Sequence, residues 1–260
     1  LEINSPLNNL WKVVIKNKVN GKEYAFTPDD NFTIDKSNNT IHIVVKNFSV
    51  ESITLPVNAE FTISVKDDAF CFSGSLKSNS DDLMIKVVDY PNLTGIKFKN
   101  GKAGIYWPAG LGQYFEDPAE FGSRELRYPA AMGGAMPWLS MNSDNVGLYM
   151  GSHDQLKEVA NLNLSYDGSS DLFSAFINAP VYDKTYQIPE IMVKPYSGKW
   201  HAASKFYRSW YDKHFEIVEP PEWVKGNSGW LLAILKQQNL EVMWPYKDID
   251  KLCDVAEEFN

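Results

Sequence analysis

The sequence predicts a mainly β protein: a large antiparallel double-sheet sandwich, then one amphipathic helix, then a short βα segment. Three observations carry this. Short runs of alternating apolar and polar residues recur from Leu10 onward, separated by turn residues and without intervening helices. Between Lys199 and His214 the period changes to helical spacing. Beyond the stiff break Glu219-Pro220-Pro221-Glu222, the apolar residues stop alternating and run continuously.

Leu10 to Val19 alternates with Trp11, Val13 and Ile15 on one side. Asn20-Gly21 and then Glu23 to Phe26 read as strand, tight turn, strand. Thr40 to Lys46 repeats the pattern through Ile41, Ile43 and Val45, and Phe61, Ile63 and Val65 repeat it again. Ala69 to Leu76, Leu83 to Asp89, Thr94 to Phe98 and Ala103 to Trp107 continue the series, with turns at Asp67-Asp68, Ser78-Asn79-Ser80 and Asn100-Gly101. Asn161 to Tyr166, Asp171 to Ile177 and Ile191 to Tyr196 resume it, for about ten to thirteen strands in all. In the helix, Ala203, Phe206, Tyr207, Trp210 and Tyr211 form an aromatic face suited to packing on a sheet. Past the proline break, Gly229 to Leu235 reads as a strand buried on both faces, and Leu240 to Trp244 is a second apolar patch. Asp248 can cap a helix with Ile249, Leu252, Cys253, Ala256 and Phe259 on its apolar side. A strand of this kind needs parallel neighbours, so the βα unit is unfinished, and the natural protein is expected to continue past Asn260.

The stretch Phe121 to Asp154 differs in kind. It combines Tyr128-Pro129, Gly133-Gly134 set in alanine and methionine, Trp138, and a strand-like Gly147-Leu148-Tyr149-Met150-Gly151 leading into His153-Asp154. Aromatics beside polar residues suit a surface that meets carbohydrate or another domain, and a tightly packed core turn is the competing reading. Trp107 and Trp138 offer planes for sugar rings, against core packing as the alternative. Tyr128-Pro129 reads as a turn that fixes an extended segment. His153 and Asp154 close a strand and open a short helix, with Asp154 as its cap, or hydrogen-bond a sugar or a neighbouring loop. Glu116-Asp117 in an extended segment point to opposite faces and make no catalytic pair. His42, His201 and His214 read as structural. Neither Gly110-Leu111-Gly112 nor Gly133-Gly134 has the context of a phosphate loop.

Composition narrows the function classes. A net charge of −8 and the lack of a dense Lys/Arg run argue against nucleic acid. No stretch approaches the roughly 18 apolar residues of a membrane span. Cys71 in an apolar strand and Cys253 on an apolar helix face read as small buried hydrophobes, with no zinc spacing. The chain starts at Leu1 and shows no signal peptide, which reads as a processed or engineered end. Asn31, Asn38, Asn47, Asn92 and Asn163 stand in Asn-x-Ser/Thr triplets.

The order of these features resembles a known architecture. Tyr106-Trp107-Pro108-Ala109-Gly110 is followed by Tyr128-Pro129 with Met132, Met136 and Trp138, then by Gly147-Leu148-Tyr149 leading into His153-Asp154. A helix of the form Trp200…Ala203…Tyr207-Arg208…Trp210 and an apolar strand come next. The whole is similar to the N-terminal half of large bacterial glycoside hydrolases of the α-galactosidase-like and endo-α-N-acetylgalactosaminidase-like kind, in which a galactose-mutarotase-like β-supersandwich precedes a (β/α)8 barrel. The resemblance implies a β-supersandwich over 1–198, a linker helix and proline-rich boundary over 199–222, and the start of a truncated TIM barrel over 223–260. It implies a non-catalytic accessory domain that packs on the catalytic barrel of the same chain and shapes its cleft for an oligo- or polysaccharide, in the periplasm or outside the cell. The catalytic carboxylates would lie on later barrel strands, beyond Asn260. The substrate-binding candidates are Trp107, Tyr128, Trp138, His153 and Asp154. No catalytic residue and no metal ligand is nominated, and no cofactor is expected. Two other classes stay open: a free-standing carbohydrate-binding protein, and a mutarotase-type sugar epimerase, which needs an acid and a base on one concave face.

Overall fold

A computed structural model describes residues 1–28, 32–50, 53–99, 102–130, 133–216, 218–225 and 249–258. The chain forms two compact units, Leu1–Phe215 and Glu216–Asn260. The first begins with β1 (Glu2–Ile3), a 3-10 turn at Leu7–Asn9, β2 (Lys12–Asn17) and β3 (Glu23–Phe26). β4 (Phe32–Ser37), β5 (Thr40–Val45), β6 (Phe48–Val50), β7 (Ile53–Leu55), β8 (Val57–Lys66) and β9 (Ala69–Ser78) follow. Next are β10 (Leu83–Lys97), β11 (Gly104–Trp107), β12 (Gln113–Phe115), the single-turn α1 (Pro118–Phe121) and β13 (Ser123–Tyr128). β14 (Trp138–Ser143), β15 (Val146–His153), β16 (Ala160–Asp167), β17 (Leu172–Asp183), β18 (Thr185–Ser197) and α2 (Trp200–His214) complete this unit. In the second unit, α3 (Glu222–Lys225) and α4 (Ile249–Glu258) are described.

The strands pair antiparallel throughout. One sheet has seven strands in the order β13-β16-β17-β10-β2-β3, with β1 also on β10. The other has nine, in the order β12-β11-β14-β15-β18-β9-β8-β5-β4, and β6 and β7 form a separate pair. Alternation decides which side chains meet between the sheets. Val13 and Ile15 of β2 and Val57, Ala59 and Phe61 of β8 are all buried. Trp11 stacks on Phe61 at 4.7 Å, and Phe61 lies 4.8 Å from Tyr90. Tyr90 Oη donates to the Thr62 carbonyl at 3.0 Å, so the largest buried ring of β10 is tied to β8 in the facing sheet. Burial holds that phenol well above its ordinary pKa. Each large side chain buried in this way stabilises by about 1.5–3 kcal/mol.

Several expectations are corrected. The strands expected at Leu83 to Asp89 and Thr94 to Phe98 are one strand, β10. Pro91 cannot donate to a ladder, and the chain absorbs this with a register shift between Asp89 and Asn92 rather than with a turn. The expected Asn20-Gly21 two-residue turn is a wider loop. β2 ends at Asn17, whose Oδ1 accepts from the amides of Val19 and Asn20 at 2.9 and 3.2 Å and so caps the strand early. Asp117 keeps an extended backbone but is not free: it caps α1 by accepting from the Ala119 amide at 3.0 Å and pairs with Lys102 at 2.7 Å. Eighteen strands are described, more than expected. The largest miss is β14, Trp-Leu-Ser-Met-Asn-Ser, in which all six residues are buried. α2 covers the face of the nine-stranded sheet that would otherwise meet water, so period-2 alternation disappears there.

Cys71 is buried as expected, but Cys253 is exposed on α4, and both thiols are free. An apolar helix face buries only against a partner element, and the strand expected to supply one, Gly229 to Leu235, lies outside the described residues. So do the patch Leu240 to Trp244, the Asp248 cap, Phe259, Asn31, Met132 and the Asn100-Gly101 turn. No described helix is long and apolar enough to cross a membrane.

Candidate functional site: an aromatic cavity beneath the long helix

α2 forms where the sequence sets apolar residues at helical spacing, and Lys213 and His214 in its last turn suit the negative end of the helix dipole. It lies on β14, β15 and β18. Ala203 and Tyr207 are its buried residues. The sheet beneath is cut to receive rings. A Cβ on Gly147 would stand 2.1 Å from the Tyr196 ring, and one on Gly151 would stand 2.3 Å from Tyr149 Oη and 2.7 Å from Trp138 Cβ. Only glycine admits that approach.

The rings form two groups. Trp138 stacks on Tyr106 at 4.4 Å, and Tyr106 stacks on Trp200 at 4.7 Å, giving a three-ring pile from sheet to helix. Beside it, His153 stacks on Trp210 at 4.9 Å, and its Nε2 meets Tyr149 Oη at 3.0 Å. Tyr196 Oη is 2.6 Å from Ser140 Oγ. Burial raises the phenols of Tyr149 and Tyr207 and pushes Tyr196 up to about 12, although its bond to Ser140 acts the other way. His153 is 6% exposed, and burial lowers its pKa to about 4, with Glu190 opposing and His214 adding to the shift. Its imidazole is therefore neutral at pH 7, and Nδ1 meets no partner among the described residues.

A cavity of about 640 Å³ opens between the first ring pile and α2. Tyr106, Tyr128, Trp138, Trp200, Tyr207 and Tyr211 supply its aromatic wall, Met136 a soft edge, and Ser204, Lys157 and Arg208 its polar rim. The Lys157 ammonium sits 4.0 Å over the Phe215 ring and 5.1 Å over Tyr211, pinning the turn after β15 to the end of α2. Arg208 is paired with Asp212 one turn on, at 2.6 Å. The lining contains no carboxylate. Such a cavity can hold flat apolar faces between rings and offer hydrogen-bond donors at its mouth.

Of the residues predicted from the sequence, Tyr128 and Trp138 line this cavity together. Trp107 does not. It belongs to the core between the sheets, edge-on to Phe121 at 5.1 Å. His153 lies under α2 rather than at a surface. Asp154 opens no helix, which corrects the expectation: its carboxylate accepts from the amides of Leu156 at 2.9 Å and Glu158 at 2.7 Å, and a positive φ of 55° at Lys157 stops helical continuation. The fold brings in Tyr106, Trp200, Tyr207 and Arg208, which stood in the recognised pattern without being nominated. Nothing local marks Lys157, whose role depends on a helix some 45 residues later in the chain. Among the described residues no cluster of three or more His, Cys, Asp or Glu could hold a metal.

No protein-family model and no curated protein matches this chain. Solved structures do. The α-N-acetylgalactosaminidase NagBb from Bifidobacterium bifidum, in its GalNAc complex, aligns with a TM-score of 0.58 at 11% identity over 80% of this chain and 34% of that one. Its ligand-free form gives 0.52 at 13% identity over 78% and 34%. This chain shares its fold with part of a glycoside hydrolase. The GH36 α-galactosidase AgaA from Geobacillus stearothermophilus aligns with a TM-score of 0.48 at 10% identity over 82% of this chain and 33% of that one. The chain spans about a third of the length of these solved chains. The resemblance read from the sequence thus holds for the fold, a sandwich domain of glycoside-hydrolase-like architecture.

Proposed function

We propose that this chain is a non-catalytic, glycan-related accessory domain of a longer glycoside hydrolase, packed against a catalytic barrel and shaping its substrate cleft. The observation that carries this is the structural match to an α-N-acetylgalactosaminidase over most of this chain and only a third of that one. The aromatic cavity supports it. Glycoside hydrolysis needs two carboxyl groups roughly 5–10 Å apart across the scissile bond, and this cavity is lined by rings and two cations instead. The epimerase reading is disfavoured by His153, which is buried and stacked where no substrate proton could reach it. An extracytoplasmic place of action goes with the proposal, since large glycans are met outside the cell.

The test uses the 260-residue chain with aryl α-galactoside and aryl α-N-acetylgalactosaminide. No release of the aryl group above the buffer rate is expected, and turnover abolished by a single Asp or Glu substitution would overturn the accessory role. Acceleration of galactose anomer exchange, followed by NMR, would move the assignment to the epimerase class.

A further inference from the structure

The outer face of the seven-stranded sheet carries a directional hydrogen-bond chain unrelated to the cavity under α2. Pairing places Lys12 opposite Asp89, Asp89 opposite Asn178, Asn178 opposite Asn161, and Asn161 opposite Arg127. Opposed residues of antiparallel strands share a face. Here it is the face away from the core, because the alternate residues Leu162, Leu164, Ala175 and Ile177 are the buried ones. Asn178 Nδ2 donates to Asp89 Oδ1, and Asn161 Nδ2 donates to Asn178 Oδ1 at 3.1 Å. The carboxylate therefore orients both amides, and the chain ends on Asn161 Oδ1, which is buried and meets no donor among the described residues. A buried acceptor is costly to leave unpaired. Asp89 itself is 9% exposed, and burial raises its pKa against the pull of Asn178.

A second row lies two residues along, about 7 Å away. Phe176 is opposite Asn163, and Asn163 is opposite Glu125. With Ser123 and Ser165 they line a trough of about 260 Å³. Asn163 is 9% exposed and its amide donates to the Asn161 carbonyl at 3.3 Å, which joins the two rows. The Phe176 ring is half-buried and has no aromatic partner among the described residues.

We propose that this trough binds a neutral saccharide, with Phe176 against the apolar face of one sugar and Asn163 and Glu125 taking its hydroxyls. A hydroxyl donates and accepts at once. It can donate to Glu125 while receiving bonds from Ser123 and Ser165. Charge selects the same class. Lys12 and Arg127 at the ends of the row disfavour a cation, while Asp89, Glu125 and a net charge of −8 disfavour an anion. The site goes beyond the accessory-domain reading and does not depend on the cavity under α2.

The experiment is a titration of the isotope-labelled 260-residue chain with N-acetylgalactosamine and, separately, stachyose, followed by amide NMR. Saturable shifts of the Asn163 side-chain amide and of the β13 and β16 backbone are expected. Phe176→Ala should weaken binding about tenfold, and Glu125→Gln, on the exposed edge strand, severalfold with an unchanged melting temperature. Saturable shifts confined to Trp138, Trp200 and Tyr207 would overturn the trough and leave the accessory role standing. A lack of saturable shifts with both sugars, or undiminished affinity in both variants, would overturn it as well.

Discussion

Trp138→Ala is expected to destabilise the Leu1–Phe215 unit by about 3–5 kcal/mol, the range for removing a large buried aromatic. The effect is large because this ring serves two interfaces. It is 1% exposed in β14 and stacks on Tyr106, which in turn stacks on Trp200 of α2. It also lies 5.7 Å from Tyr149, in a pocket floored by Gly151. Removing it leaves Tyr106 with a ring on one side only and opens the aromatic cavity into the sheet. Neighbours cannot collapse into the gap, because both pairs of rings are tied to regular backbone. For a unit of this size the loss corresponds to a fall in Tm of about 10 °C or more. Trp138→Phe, which keeps a ring against Tyr106, should cost less than half as much. Equilibrium urea unfolding of the two variants decides it. A loss under about 1 kcal/mol for Trp138→Ala would mean that α2 is not held to the sheet through this pile.

How much of this could be read in the sequence follows from how many faces of each strand are buried. Strands with one wet face, such as β2 and β5, announce themselves by alternation, and Val13, Ile15, Ile43 and Val45 were placed on the correct side. β14 has no wet face, and its buried Ser140 and Asn142 look like loop residues until Tyr196 and α2 are seen to cover them. The runs Leu83 to Asp89 and Thr94 to Phe98 read as two strands, and only the register shift that accommodates Pro91 joins them into β10. The site divides in the same way. Tyr128 and Trp138 could be chosen because they stand in a segment of unusual composition. Trp107 could not be told from them, since burial between the sheets depends on which face β11 turns to Phe121. The Asp89-Asn178-Asn161 chain joins residues up to 89 positions apart. No spacing rule within one segment reaches that far, and only strand register assembles it.

Acid is expected to weaken the fold through His153 before any exposed carboxylate matters. The unfolded imidazole titrates near 6.5, whereas in the folded protein burial lowers its pKa to about 4. The folded state thus binds fewer protons than the unfolded state between these values, so stability falls as pH falls through this window. The full difference corresponds to about 3 kcal/mol at 1.36 kcal/mol per pH unit, and about 2 kcal/mol of it is lost between pH 7 and pH 5. Tyr149 Oη, the face of Trp210, Glu190 and His214 are the groups that surround the ring or act on it. Asp89 acts oppositely. Burial raises its pKa, which penalises the folded state above the ordinary carboxylate range, and that penalty is relieved as pH falls. The lowered carboxyls of Asp81, Asp117 and Asp167 lose their contributions below their ordinary values, outside this window. Urea midpoints at pH 7 and pH 5 should therefore differ clearly for the natural chain and by much less for His153→Phe, whatever the absolute stability of that variant. An unchanged pH slope in His153→Phe would place the titrating group elsewhere. A flattened slope would identify the stacked, buried imidazole as the group whose protonation weakens the fold in acid.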